Sequence, residues 1–339
     1  MIAGANRGTM HFLYERITKG QPTMTGTLEE PEGAPEPRFA LQGTVHWMHA
    51  LSVLVQSSPT PYDKKGIQPF YASVQRSTAL SDPAINTVFE QLLMSLHHVS
   101  ALRTMRGQEL NLARAAIMTW YYGIYCAASA MIAAKDGTQQ QDHVGTANVW
   151  DRQIVANGHA MAPFSYRLTT LENPAAEQEI ATLRGSISFN TSSRPSNASE
   201  AFGACISYLS GTREYRVWQV CEDLKQKELP KLGLTDFRKA AARQLRDARL
   251  RGKSLGFLHQ AFRYRGKANY RDALFLTYGS SVGGTLSGFI EDLELVLTGF
   301  IVMAGAFCGR RIGPTLWQPF IADLSTQLQL AVMPQDVWL

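Results

Sequence analysis

Two apolar stripes separated by a single short turn fix most of what this chain can become. Between Ser81 and Arg106, the residues Ile85, Val88, Phe89, Leu92, Leu96, Val99, Leu102 and Met105 recur at spacings of three and four, which puts them on one face of a helix. Ser81 or Asp82 can cap it, Pro83 sits in the first turn where its missing N–H is harmless, and Gly107 ends it. A second helix is predicted from near Gln108 to Ala134, with Leu112, Ala116, Trp120, Ile124, Ala127 and Met131 on one side and Lys135-Asp136-Gly137 as its stop. A connection of one or two residues leaves them only one arrangement, an antiparallel pair.

The rest of the chain divides by composition. Residues 1–38 are read as a flexible arm because GQPTMTGTLEEPEGAPEPR is rich in Pro, Gly and Glu. Residues 39–137 form the first part of a helical bundle, and residues 138–234 a polar, Gly/Ser/Thr/Asn-rich insertion containing one helix that Ser199 is expected to cap. Residues 235–339 hold a basic helix from Thr235 to Arg251, helices near Leu255–Tyr264 and Ile290–Phe307, and a last one opened by Pro314. No βαβ alternation and no repeat appears, so the fold class is mainly α.

Charge is concentrated in one place. The chain carries +5 overall, yet residues 238–271 hold eleven Lys and Arg against the single acid Asp247, +10 in that segment and therefore −5 elsewhere. Such a sector attracts polyanions by releasing their counterions, so nucleic acid is the natural partner class. Arg243, Arg246 and Arg249 recur every third residue along the basic helix, and Arg251, Lys253, Arg265, Lys267 and Arg271 extend the surface. These eight are the candidate nucleic-acid-binding residues.

Other chemistries find little support. Cys126, Cys205, Cys221 and Cys308 lack CxxC spacing, which fits a reducing cytoplasm and no disulfide framework. The apolar core of a signal peptide is missing near the N-terminus, where Glu15, Arg16 and Lys19 follow HFLY directly. The run from Leu295 to Gly309 is uncharged but falls short of the roughly 20 residues that span a bilayer, so a buried helix and no membrane partner are expected. SSVGGTLSG has neither the lysine nor the strand of a phosphate-binding loop. His97 and His98 are adjacent and point about 100° apart on a helix, and His46 and His49 have no carboxylate at ligand spacing. Neither a metal nor another cofactor is expected.

The helix NLARAAIMTWYYGIYCAASAMIAAKDG, from Asn111 to Gly137, mixes the aromatics Trp120, Tyr121, Tyr122 and Tyr125 with the small residues Gly123, Ala127, Ala128 and Ala130. In this pattern, and in its position after an amphipathic helix and a short polar turn, it resembles the signature helix of HEPN domains. These are up-and-down α-helical bundles of prokaryotic toxin–antitoxin and antiphage systems, and the resemblance covers residues 82–137 and 253–308. Many members carry a ribonuclease motif of Arg, four residues, His, one residue, Tyr. Arg263 and Tyr270 stand in register with it, with Asn269 as an added polar group, but Ala268 occupies the histidine position.

A looser match, Arg152 followed by His159 in RQIVANGH, falls on an Asn-Gly turn. The resemblance implies a nucleic-acid binder, RNA first, with a degenerate ribonuclease motif and a tendency to pair as a homodimer. Two alternatives stay open. One is a non-catalytic scaffold subunit that meets a protein partner through its basic sector. The other is an active metal-independent ribonuclease using Arg152 with His159, or Arg263, beside Asn269 and Tyr270, with a base that the sequence does not identify, since neither Arg263 nor Asn269 accepts a proton at neutral pH.

Overall fold

A computed structural model describes residues 37–270 and 286–339. It is mainly α, with eleven helices and no strand among the described residues; the sole extended pairing is an isolated bridge between Leu168 and Leu255. In chain order the helices are α1 (Pro37–Gln56), α2 (Asp82–Met105), α3 (Glu109–Asp136), α4 (His143–Trp150), α5 (Ala175–Arg184), α6 (Ala198–Lys227), α7 (Ala240–Arg251), α8 (Phe257–Tyr270), α9 (Phe289–Ile312), α10 (Pro314–Gln327) and α11 (Pro334–Val337).

The α2–α3 hairpin forms as the apolar stripes require. Ser81 precedes α2 in extended conformation, at the cap position, but makes no capping hydrogen bond with its side chain, and Asp82 is already the first helical residue; Pro83 lies in the first turn, and Gly107 takes a φ of 75° in the connection. Gly137 ends α3 at a φ of 79°, with its N–H donated to the Ala133 carbonyl, the left-handed stop that glycine permits at low cost. α9 lies against α1, α2 and α3. A Cβ on Gly123 would sit 2.6 Å from Leu297, so this glycine sets how near α3 approaches α9.

Trp47, Trp120, Phe257 and Tyr264, each almost fully buried, form a ring network at the centre. Each such ring removes ~150–250 Å² from water, a transfer free energy of about 4–6 kcal/mol before entropy is charged against it.

The stretch between α3 and α7 is more ordered than its polar composition suggests. Trp150 and Phe164 are fully buried within it. α6 is continuous through Gly211, and Asn197, not Ser199, caps it by accepting from the Glu200 N–H at 3.0 Å. One face of α6, Ala201, Ala204, Cys205 and Tyr208, joins the main core. Another, Ile206, Leu209, Val220 and Leu224, forms a second apolar cluster with Leu168, Leu171, Leu250 and Leu255. α7 starts at Ala240, later than Thr235, and two 3-10 turns, Gln68–Tyr71 and Pro230–Leu232, with a π-helical turn, Asp151–Val155, complete the order.

α3 and α9 are long and apolar enough to cross a membrane by length and composition alone, but most of each apolar stretch is buried against other helices. The run from Leu295 to Gly309 is accordingly a core helix. His97 is exposed, while His98 is half-buried and stacks on Tyr122.

Candidate nucleic-acid interface

Arg263 and Arg265 leave opposite sides of α8, because residues two apart on a helix point about 200° apart. Arg263 turns towards α6. Its Nη1 donates to Thr212 Oγ1 at 3.0 Å, and its guanidinium lies over the rings of Tyr215 and Tyr208 at 5.2 and 5.7 Å. Arg265 turns towards α3 and lies 5.4 to 5.8 Å from the ring centres of Tyr121, Tyr122 and Phe262. Ala268 is 2 % exposed, so the position where the ribonuclease pattern places histidine faces packed core. Asn269 and Tyr270 close α8, and their side chains, like Arg271, lie outside the described residues; Lys267 is half-buried.

The cations of α7 do not form one uniform stripe. Arg251 forks onto Glu172 with hydrogen bonds of 2.6 and 2.5 Å, and this pairing holds the Glu172 carboxyl below its usual range. Arg246 pairs with Asp247 at 2.8 Å and covers the ring of Phe237, and Arg243 donates to the Arg238 carbonyl. Arg249 and Lys253 instead turn to a groove of about 540 Å³ beside α6, where Arg216 and the exposed Trp218 line the opposite wall.

Three acids also line this groove, each held by a lysine: Glu222 pairs with Lys225 at 2.8 Å, Asp223 with Lys227 at 3.2 Å and Glu228 with Lys231 at 3.3 Å. Among the described residues, Arg216, Arg249 and Lys253 form no ion pair. Lys253 has its ammonium pKa lowered by burial first, then by the like charges of Arg216 and Arg249. Burial lowers that of Arg216 as well. Asp223 opposes both shifts from a distance, but with no carboxylate in ion-pair contact among the described residues the three cations make a site suited to an anion.

A second constellation surrounds Arg265. The Tyr121 hydroxyl lies 2.9 Å from His143 Nδ1, and the His143 ring stacks on Phe262 with centres 5.6 Å apart. His143 and Arg265 thus share the rings of Tyr121, Tyr122 and Phe262 as neighbours. The pKa of His143 is lowered by burial first and then by Arg265, with Asp142 opposing, so the imidazole is neutral at pH 7. Arg265 Nε is buried without a hydrogen-bond partner among the described residues. Sequence spacing gave no signal for this meeting, since His143 lies on α4 and Arg265 on α8.

The remaining candidates do not converge. Arg152 is exposed on the π-helical turn Asp151–Val155, while His159 packs on Phe307 at 5.2 Å. His46 bonds to the Thr191 carbonyl at 3.0 Å, and His49 Nδ1 lies 2.9 Å from Asp292 Oδ2, a carboxylate brought in by α9. Among the described residues, no cluster of three or more His, Cys, Asp or Glu has the arrangement to hold a metal ion. Comparison with family models, curated proteins and solved structures finds no match to this chain.

Proposed function

We propose that this is a HEPN-like nucleic-acid-binding protein, with RNA the first expectation, acting in the cytoplasm in a prokaryotic defence or toxin–antitoxin setting. The observation that carries the binding reading is the gathering of Arg216, Arg249 and Lys253 around one groove with no carboxylate pairing them among the described residues. Phosphate oxygens supply the counter-charge, and condensed counterions leave the polyanion as they bind. Arg251 and Arg246, already engaged by Glu172 and Asp247, contribute less than Arg249 and Lys253. Charge reversal at Arg249 and Lys253 together is expected to weaken binding at least tenfold and to flatten the salt dependence by roughly 0.7–0.9 per lost phosphate contact. Filter binding between 50 and 200 mM salt, a range chosen for that slope, measures both, and unchanged affinity refutes the reading.

The meeting of neutral His143 with Arg265 favours a second reading, a metal-independent ribonuclease. In the tautomer that donates Nδ1–H to the Tyr121 oxygen, His143 Nε2 keeps its lone pair and can take the proton from an RNA 2′-hydroxyl. Arg265 then stands by to stabilise the charge developing on the phosphate. With labelled RNA in EDTA, His143→Gln and Arg265→Met are each expected to slow cleavage about 100-fold or more, whereas Arg263→Ala is expected to leave its rate largely intact. Wild-type protein that leaves RNA whole sinks this second reading without touching the first.

A further inference from the structure

The groove has a feature that phosphate binding alone does not use. Tyr208, Tyr215 and Trp218 lie seven and three residues apart on α6, so their rings rise along the helix while turning from core to surface. Trp47 stacks on Tyr208 with centres 4.1 Å apart and planes 17° apart, and Arg263 lies over both Tyr208 and Tyr215. Tyr215 then stacks on Trp218 at 5.9 Å and 24°. The ladder begins at the buried Trp47 and ends at Trp218, which is 39 % exposed and lines the cationic groove. A large ring backed in this way is held in orientation by its neighbours while its surface stays open to a ligand.

From this geometry we propose that the groove binds single-stranded nucleic acid, an unpaired base lying on Trp218 while flanking phosphates meet Arg216, Arg249 and Lys253. This rests on the nucleic-acid reading of the groove and narrows it. In a duplex, base faces are covered by their own neighbours, so only an unpaired base can use the indole. The acids on the same wall point the same way. Glu222, Asp223 and Glu228, each already in contact with one lysine, do not favour a ligand that offers phosphates alone, but their remaining lone pairs accept hydrogen bonds from the exocyclic amino groups of bases, which a single strand exposes.

Fluorescence polarisation with a labelled single-stranded oligonucleotide, and with the duplex of the same sequence, tests the proposal. The single strand is expected to bind more tightly than the duplex, and Trp218→Ala to weaken it roughly tenfold, as the loss of one stacked base implies. Trp218→Phe is expected to retain most of the affinity, and circular dichroism of each variant checks that the helices persist. Equal affinity for both forms, with no effect of Trp218→Ala but a loss in Arg249→Glu, overturns the stacking site and leaves the phosphate site standing. Failure of the wild type to bind either form overturns both. Polyglutamate binding that matches the oligonucleotide and ignores Trp218→Ala overturns the proposal in favour of an acidic protein partner.

Discussion

Arg167→Ala is expected to lower the unfolding free energy by about 3–5 kcal/mol, the cost of leaving a buried charge without its partner. Asp151 is completely buried at the end of α4, and Arg167 grips its two oxygens with bonds of 3.0 and 2.8 Å from Nε and Nη2. Gly256 lies so near that a Cβ there would fall 2.5 Å from Asp151 Oδ1, which leaves the carboxylate little room to turn elsewhere. A shift of the urea midpoint at unchanged slope reads the loss directly. Asp151→Asn combined with Arg167→Met is expected to recover much of it, because removing both charges removes the desolvation penalty along with the attraction. A double variant as unstable as Arg167→Ala, or a single variant within about 1 kcal/mol of wild type, contradicts this account of the pair.

Stability is also expected to fall by about 3 kcal/mol as pH drops from roughly 6.5 to 4 because of one histidine. His259 is 4 % exposed, and burial, followed by Arg216, depresses its pKa from 6.5 to about 4, with Asp151 opposing. Its two nitrogens are both committed: Nδ1 accepts from the Gly256 N–H at 3.1 Å, and Nε2 lies 2.9 Å from Asn148 Oδ1. The folded state thus holds a neutral imidazole that donates through Nε2–H.

The sign follows from which state binds the proton. Below 6.5 the unfolded chain protonates this histidine while the native protein does not, so the contribution is complete above the unfolded pKa and is lost as pH falls through the folded one. Carboxylates with lowered pKa values, Asp63, Glu172 and Glu200 among them, add to the same trend at lower pH. The difference between wild type and His259→Gln isolates the histidine: denaturant titrations at pH 7 and pH 4 should show a shallower fall in the variant. Equal falls in both proteins refute the assignment.

The helical hairpin was open to sequence reasoning because its strongest signals agreed, although the expected side-chain cap at Ser81 does not form. Apolar spacing, Pro83, Gly107 and Gly137 each act within a few residues, and each was found in its expected role. The stretch between α3 and α7 was harder to read. Trp150 and Phe164 are buried despite a polar surrounding sequence, and α6 divides its apolar residues between two clusters, which blurs any single hydrophobic stripe. Asn197 could be mistaken for a loop residue because a cap and a turn draw on the same short polar side chains.

The basic sector shows the limit most directly. The sequence determined that the chain is helical, that α2 and α3 pair antiparallel, that α9 is apolar enough to be core, and that cations crowd residues 238–271. These properties depend on local spacing and composition. Only the tertiary structure decided which cations are spent on Glu172 or Asp247 and which stand with Arg216 beside Trp218. It also decided that Arg263 and Arg265, two residues apart, meet Tyr215 and Tyr121 on opposite sides of α8. A charge acquires its role from the groups within a few ångströms of it, and in this fold those groups are supplied by helices distant in sequence.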